Sequence, residues 1–332
     1  MTSLAAIRAA ESRLAGHVRQ TPLLSAPALD AAAGRRLLVK AECLQHTGSF
    51  KARGGWAAVS ALAPGVRARG VLAYSSGNHA QGVARAAALH GVPAVIVMPA
   101  DAPRMKIGNT RALGAEVVLY DRAGGEDREA VGSRLAAERG LTLIRPYDDP
   151  EVIAGQGTLG LELARQARAA GVTHADVLVC CGGGGLTAGV ALALAGTEPG
   201  LRARPCEPEG FDDVTRSLVS GRIEGNARAT GSICDAILTP SPGQLTFPIL
   251  ARHCGPGIVV SDHDCLRAMA LAFAALKIVV EPGGAAALAA ALFHGDRIGG
   301  DTVIAVATGG NVDAAMFGRA LAAGQGAAPP AA

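Results

Sequence analysis

No sign of charge dominates this sequence: 31 lysines and arginines face 28 acids, a formal net charge of +3 over 332 residues. No run of like charge is longer than a few residues, which excludes the basic stripe of a nucleic-acid binder. The N-terminus lacks the basic, apolar and small-residue order of a signal peptide. The longest apolar stretches, such as Val190 to Ala195, fall far short of the roughly 20 residues of a membrane span. These absences predict a cytoplasmic chain with no nucleic-acid or membrane partner. Seven cysteines (Cys43, Cys180, Cys181, Cys206, Cys234, Cys254 and Cys265) form an odd set without CxxC spacing, which excludes a disulfide frame or a zinc site and fits reduced thiols. Cys180 and Cys181 end an apolar run and read as small core residues. Aromatics make up only 3% while Ala and Gly abound; we read this as a compositional bias without functional weight.

What is present is a rhythm of short β-rich runs and Ala-rich helical segments from Arg69 onward. Val71 to Tyr74, Ala94 to Met98, Glu116 to Tyr120 and Thr142 to Arg145 read as strands, with helices between them. Alternation of this kind predicts a parallel α/β sheet. A second series begins near Pro150: helix over Glu151 to Ala170, strand over Val177 to Cys181, a glycine run, helix over Thr187 to Ala195 and a strand over Asp301 to Ala307. Two α/β lobes follow. The N-terminal elements, Leu4 to Val18 and Leu37 to Cys43, have no partner of their own and must join one of them.

Three segments carry chemistry. Gly182-Gly-Gly-Gly185 follows an apolar strand and precedes a helix, so its backbone N–H groups can converge on an anion. Nothing in it is basic, which suits a compact phosphate monoester better than a triphosphate. The alternative is a tight turn using glycine for backbone freedom, but four consecutive glycines at this junction favour phosphate. Ser75-Ser-Gly-Asn-His79 lies between a strand and a helix, where open sheets bind ligands, and offers hydroxyls, an amide and helix N-terminal donors to a carboxylate; taken alone it is also an ordinary N-cap cluster. Lysine is the rare residue: Lys40, Lys51, Lys106 and Lys277 leave 27 of the 31 basic residues as arginine. Arginine cannot form a Schiff base, whereas lysine can. Lys51 sits in a polar turn that opens a helix, where an amine can meet a ligand. Lys40, Lys106 and Lys277 are expected to snorkel at the surface.

Together Gln45-His-Thr-Gly-Ser-Phe-Lys-Ala-Arg-Gly, Ser75-Ser-Gly-Asn-His-Ala-Gln-Gly, Ile153-Ala-Gly-Gln-Gly-Thr, Cys181-Gly-Gly-Gly-Gly-Leu, Glu207-Pro-Glu-Gly, Glu281-Pro-Gly-Gly-Ala and Thr308-Gly-Gly-Asn-Val-Asp resemble the threonine/serine dehydratase and serine racemase family of fold-type II pyridoxal-phosphate (PLP) enzymes. The matches run in family order from about Thr21 to Asp313. The resemblance implies a two-lobed α/β fold of the tryptophan synthase β type, each lobe an open, twisted, mostly parallel sheet flanked by helices. Residues 1–68 and 150–320 would form the large PLP-binding domain, 69–149 the small domain, and 321–332 a disordered tail.

Carried over position by position, the resemblance implies Lys51 as the Schiff-base lysine with Phe50 packed on the cofactor ring. Asn78 would hydrogen-bond the cofactor's 3-hydroxyl, Gly182, Gly183, Gly184, Gly185 and Leu186 would hold its phosphate, and Thr308 would face the pyridine nitrogen. Ser75, Ser76 and His79 would meet the substrate carboxylate, with Arg128 and Ser232 in its neighbourhood. Glu207, the Phe211 carbonyl and Asp213 would hold an optional Mg²⁺ or Ca²⁺. The expected reaction is elimination of the β-hydroxyl from a small amino acid such as L-threonine or L-serine, giving a 2-oxo acid and ammonia, by a homodimer. The residues after Thr308 are too few for a C-terminal regulatory domain, so feedback control by isoleucine is not expected. Other 3-hydroxy amino acids (threo-3-hydroxyaspartate, phenylserine, ectoine-derived compounds) and serine racemisation through Ser76 remain open at this point, as does a non-enzymatic nucleotide-binding module built on the glycine loop.

Overall fold

The computed structural model describes residues 2–75, 77–102, 104–121 and 124–325. Its strands are β1 (Leu23–Leu24), β2 (Arg36–Ala41), β3 (Val71–Tyr74), β4 (Ala94–Pro99), β5 (Glu116–Tyr120), β6 (Thr142–Leu143), β7 (Ala175–Cys180), β8 (Leu201–Pro208), β9 (Ile258–Val260) and β10 (Thr302–Ala307). They form a six-stranded sheet in the order β1-β2-β10-β7-β8-β9 and a four-stranded one in the order β5-β4-β3-β6. Every pair is parallel except β1 with β2. β3 and β4 are buried along their whole length, as parallel strands covered by helices on both faces must be, and this is why they read as unbroken apolar runs.

The N-terminal segment finds its partner at long range: β2 pairs residue for residue with β10, Arg36 opposite Thr302 through Ala41 opposite Ala307. Helix boundaries follow local chemistry. Asp149 accepts the N–H groups of Glu151 and Val152, and Pro150 occupies the first turn, so the long helix runs Pro150–Ala169. Ser261 and Asp264 form a reciprocal capping box on the helix Asp262–Leu276.

Small residues let the helices touch backbone to backbone. A methyl on Gly55 would lie 2.6 Å from the Gly82 carbonyl carbon, and one on Gly155 2.8 Å from the Arg53 carbonyl oxygen. The helix Pro282–Phe293 is almost entirely Gly, Ala and Leu and is buried from Pro282 to Leu292 beneath the larger sheet. The Ala and Gly content therefore has a packing function that composition did not disclose.

Three expectations need correction. The stretch 321–332 does not begin as a tail, since the helix Ala314–Gln325 continues through its first five residues; the remainder lies outside the described residues. Lys40 does not snorkel: it is fully buried, its ammonium bonded to Glu162, to Gln166 and to the Thr21 carbonyl. Glu162 and Glu42 also bind the buried Arg53, which closes a charge-neutral network of two cations and two anions under the Lys51-bearing helix. Lys106 turns inward as well, as described below.

Candidate active site

A cavity of about 190 Å³ opens where the C-terminal ends of β3, β7 and β10 converge, the position at which parallel sheets present helix N-termini and loops to ligands. Phe50, Lys51, Ser75, Asn78, His79, Arg128, Gly182, Gly183, Gly184, Gly185, Leu186 and Thr308 all line it.

Lys51 is the first residue of the helix Lys51–Ala61. The turn before it is sewn to the end of β10, because Ser49 bridges Gly309 and the Phe50 N–H donates to the Thr308 carbonyl at 3.1 Å. The Lys51 ammonium donates to the Pro146 carbonyl at 2.6 Å and lies 5.2 Å from the centre of the Phe50 ring. Burial alone pulls this amine down to about 8, because no carboxylate among the described residues stands close enough to hold the proton.

The glycine loop lines the same cavity. Gly184 adopts φ +91°, and a methyl on Gly183 would sit 2.3 Å from the Tyr147 ring, so no side chain fits. The Thr246 hydroxyl donates to the Gly183 carbonyl at 2.7 Å and fixes the loop. The helix Gly185–Thr197 starts here, and the N–H groups of its first turn have no carbonyl ahead of them in the helix. Amides and helix dipole together form an anion cradle free of side chains.

The third wall is the start of the helix Asn78–His90. The Asn78 amide donates to Glu281 at 2.6 Å, and its oxygen accepts from Asn311 at 2.6 Å. Glu281 is held up at about 7 by its burial, against the lowering effect of the Asn78 bond. His79 follows Asn78 in this helix. Its Nε2 lies 2.9 Å from the Ile144 carbonyl, which can only accept, so Nε2 carries the proton and Nδ1 is a bare acceptor without a partner among the described residues. Burial and the nearby Lys51 depress the ring to about 3 and keep it neutral. A carboxylate can therefore be met by the His79 backbone N–H and not by its ring. Ser76 lies outside the described residues.

Ser232 is not brought to the cavity. Its hydroxyl donates to Asp262 at 2.5 Å, at the start of the helix Asp262–Leu276. Thr239 stands in the cavity wall instead, with its hydroxyl buried and unpartnered among the described residues. Tyr147, Glu281 and Asn311 also line the cavity, the last two within segments that carry the family resemblance although no role was expected of them, as does Lys106, which pairs with Asp235 at 2.9 Å. Arg128 lies 5.6 Å from the centre of the Tyr74 ring, and no carboxylate pairs with it among the described residues. Glu207, Phe211 and Asp213 lie apart from the cavity lining. Both Glu207 oxygens accept from Val214 and Thr215 at the start of the helix Asp213–Ser220. One Asp213 oxygen accepts from Asn226, while the other is buried without a partner among the described residues. Among the described residues no three His, Cys, Asp or Glu side chains form a metal-holding group.

The family model described as "Pyridoxal-phosphate dependent enzyme" matches residues 14–309. The chain belongs to the fold-type II threonine/serine dehydratase and serine racemase family. It is 42% identical over 315 residues to an L-threo-3-hydroxyaspartate ammonia-lyase from Pseudomonas sp, covering 95% of this chain and 97% of the relative. It is 38% identical over 326 residues to a serine racemase from Oryza sativa subsp. indica, covering 95% and 92%. The solved threonine deaminase of T.th. superposes with a TM-score of 0.88 at 47% identity, covering 94% of this chain and 99% of that one. This family membership replaces the nucleotide-binding module as the reading of the glycine loop. The cofactor is PLP, and the cavity fits it: a primary amine for the aldehyde, a side-chain-free amide cradle for the phosphate and a hydroxyl at Thr308 beside the Cys180 thiol. Among the described residues no helix is long and apolar enough to cross a membrane.

Proposed function

We propose that this PLP enzyme eliminates the β-hydroxyl of a small 3-hydroxy amino acid, releasing a 2-oxo acid and ammonia. The observation that carries the reading is Lys51: a buried amine with no counter-ion among the described residues, lowered to about 8 and lining the same cavity as the glycine-loop anion cradle. PLP supplies the electron sink for the pair left behind when Cα loses its proton. Lys51 would anchor the cofactor through Nζ. With substrate bound, the free Nζ of Lys51 would take the proton from Cα and, as an ammonium, give one to the departing hydroxyl. Phe50 would pack beside the ring, Asn78 would bind its 3-hydroxyl, Gly182 to Leu186 would hold the phosphate, and the Thr308 hydroxyl would meet the ring nitrogen without protonating it. Ser75 and the first amides of the helix Asn78–His90 receive the substrate carboxylate.

L-threonine and L-serine are the simplest substrates for such a site. Arg128 favours a second reading, because a guanidinium in the wall with no carboxylate partner among the described residues, and the Thr239 hydroxyl likewise unpartnered, suit a substrate with a second carboxylate, as in threo-3-hydroxyaspartate. Serine racemisation calls for a proton donor on the far face of Cα, and Ser76 is the residue proposed for it. Purified enzyme assayed for 2-oxo acid on L-threonine, L-serine and both hydroxyaspartate diastereomers decides among these. Turnover of at least one is expected; none would overturn the elimination reading. Arg128→Ala should cost the hydroxyaspartate reaction most.

A divalent cation at Asp213, Glu207 and the Phe211 carbonyl rests on the Asp213 oxygen that has no partner among the described residues, and a melting-temperature rise with Mg²⁺ or Ca²⁺ that Asp213→Asn abolishes would support it. A cytoplasmic homodimer is proposed from the seven free cysteines and the assembly that the resemblance implies; light scattering tests the dimer.

A further inference from the structure

The amide of a cavity-wall asparagine can face either way, since its oxygen and nitrogen ends have nearly the same shape. What decides is the set of partners around it. At Asn78 one partner is ambiguous. The Glu281 carboxyl accepts from Asn78 as an anion, but once protonated it can also donate, and its burial holds it near the point where both forms exist.

Asn311 is unambiguous. Its Nδ2 donates at 2.8 Å to the backbone carbonyl of Thr47, a group that can only accept, so the orientation of its own amide is fixed. The same Nδ2 reaches the Asn78 oxygen at 2.6 Å. Both hydrogens of Asn311 are thus assigned, and Asn78 is forced to present its oxygen to Asn311. Its NH₂ then points at Glu281, with a second N–H left over for the cavity. Local backbone makes room for this contact. Gly48 has φ +72°, and a methyl there would lie 2.6 Å from the Asn311 oxygen. The Gly310 N–H donates to the Gly48 carbonyl at 2.9 Å. Thr47 itself sits at φ +59°, a left-handed conformation that a threonine adopts at a cost, in the turn that leads into Lys51.

We propose that Asn311 is a positioning residue that sets the direction of the Asn78 amide and pins the Thr47 turn, so that one side chain aligns a cofactor hydrogen-bond donor with the cofactor's lysine. The inference rests on the reading that Asn78 binds the 3-hydroxyl of PLP.

The test uses Asn311→Asp, which keeps the volume but replaces the donor by an acceptor, together with Asn311→Ser, which keeps a single donor. Each is made alone and in an Asn78→Ala background. Two readouts are taken: PLP affinity, by titrating resolved enzyme with PLP, and the visible absorbance of bound cofactor against pH. A carboxylate at 311 turns the Asn78 oxygen toward the cofactor. Affinity should then fall roughly ten- to a hundredfold, the worth of one hydrogen bond to a charged group, and the absorbance titration should shift. Asn311→Ser should recover part of both, and the Asn311→Asp effect should shrink when Asn78 is already alanine, what remains being the loss of the Thr47 contact. If residue 311 merely fills space, Asn311→Asp will bind PLP and absorb like the parent, and the proposal is overturned. It is overturned equally if the loss is undiminished in the Asn78→Ala background. Should Asn78→Ala alone leave affinity and spectrum unchanged, the placement of Asn78 at the cofactor fails, and this inference with it.

Discussion

Burial sets the reactivity of Lys51. An amine at its ordinary 10.5 is almost wholly protonated near neutral pH and has no free pair with which to attack an aldehyde; at about 8 a useful fraction is neutral. Because the shift is downward, the neutral form gains as pH rises through about 8. The rate at which resolved enzyme captures PLP should therefore climb through that pH and level off above it, measured by stopped-flow absorbance. A rate still rising at pH near 10 would mean that the amine is not desolvated in solution. His79 behaves in the opposite manner to an active-site acid. Its ring stays neutral at all working pH values and adds no inflection of its own to this profile.

The cradle proposed for the phosphate is an element-scale property, formed by a strand end, four glycines and a helix start. Its weak point is Gly183, where any side chain meets the Tyr147 ring. Gly183→Ala should lower PLP affinity by more than tenfold, about 1.4 kcal/mol, while the far-ultraviolet spectrum is kept; unchanged affinity would place the phosphate elsewhere. This element was legible in the sequence because its signal is local: glycines between an apolar strand and a helix. Strands β3, β4 and β5 were legible for the same reason. Thr239 was not, since 221–245 is mostly loop with no periodicity to say which hydroxyl turns inward. The contacts of the Asn78, Glu281 and Asn311 cluster were not either: Glu281 and Asn311 stand in segments that carry the family resemblance, but they lie 203 and 233 residues from Asn78, and nothing local says that the three side chains meet.

On the scale of the whole molecule, the Lys51 helix is held between distant parts of the chain. Arg53, two residues beyond Lys51, binds Glu42 at 2.7 Å and Glu162 at 2.9 Å, all of them buried. Lys40 was misjudged for this reason: its partner Glu162 lies 122 residues away, and an unpaired lysine belongs at the surface. Arg53→Met would leave two buried carboxylates short of one cation, a loss of about 3–5 kcal/mol in urea unfolding; a cost under about 1 kcal/mol would show that the network relaxes freely. Of the four lysines, Lys51 and Lys106 both line the cavity. The most direct test of the account is borohydride reduction of the PLP-loaded enzyme followed by peptide mapping. The label is predicted on Lys51, and a label on Lys106, Lys40 or Lys277 would contradict it.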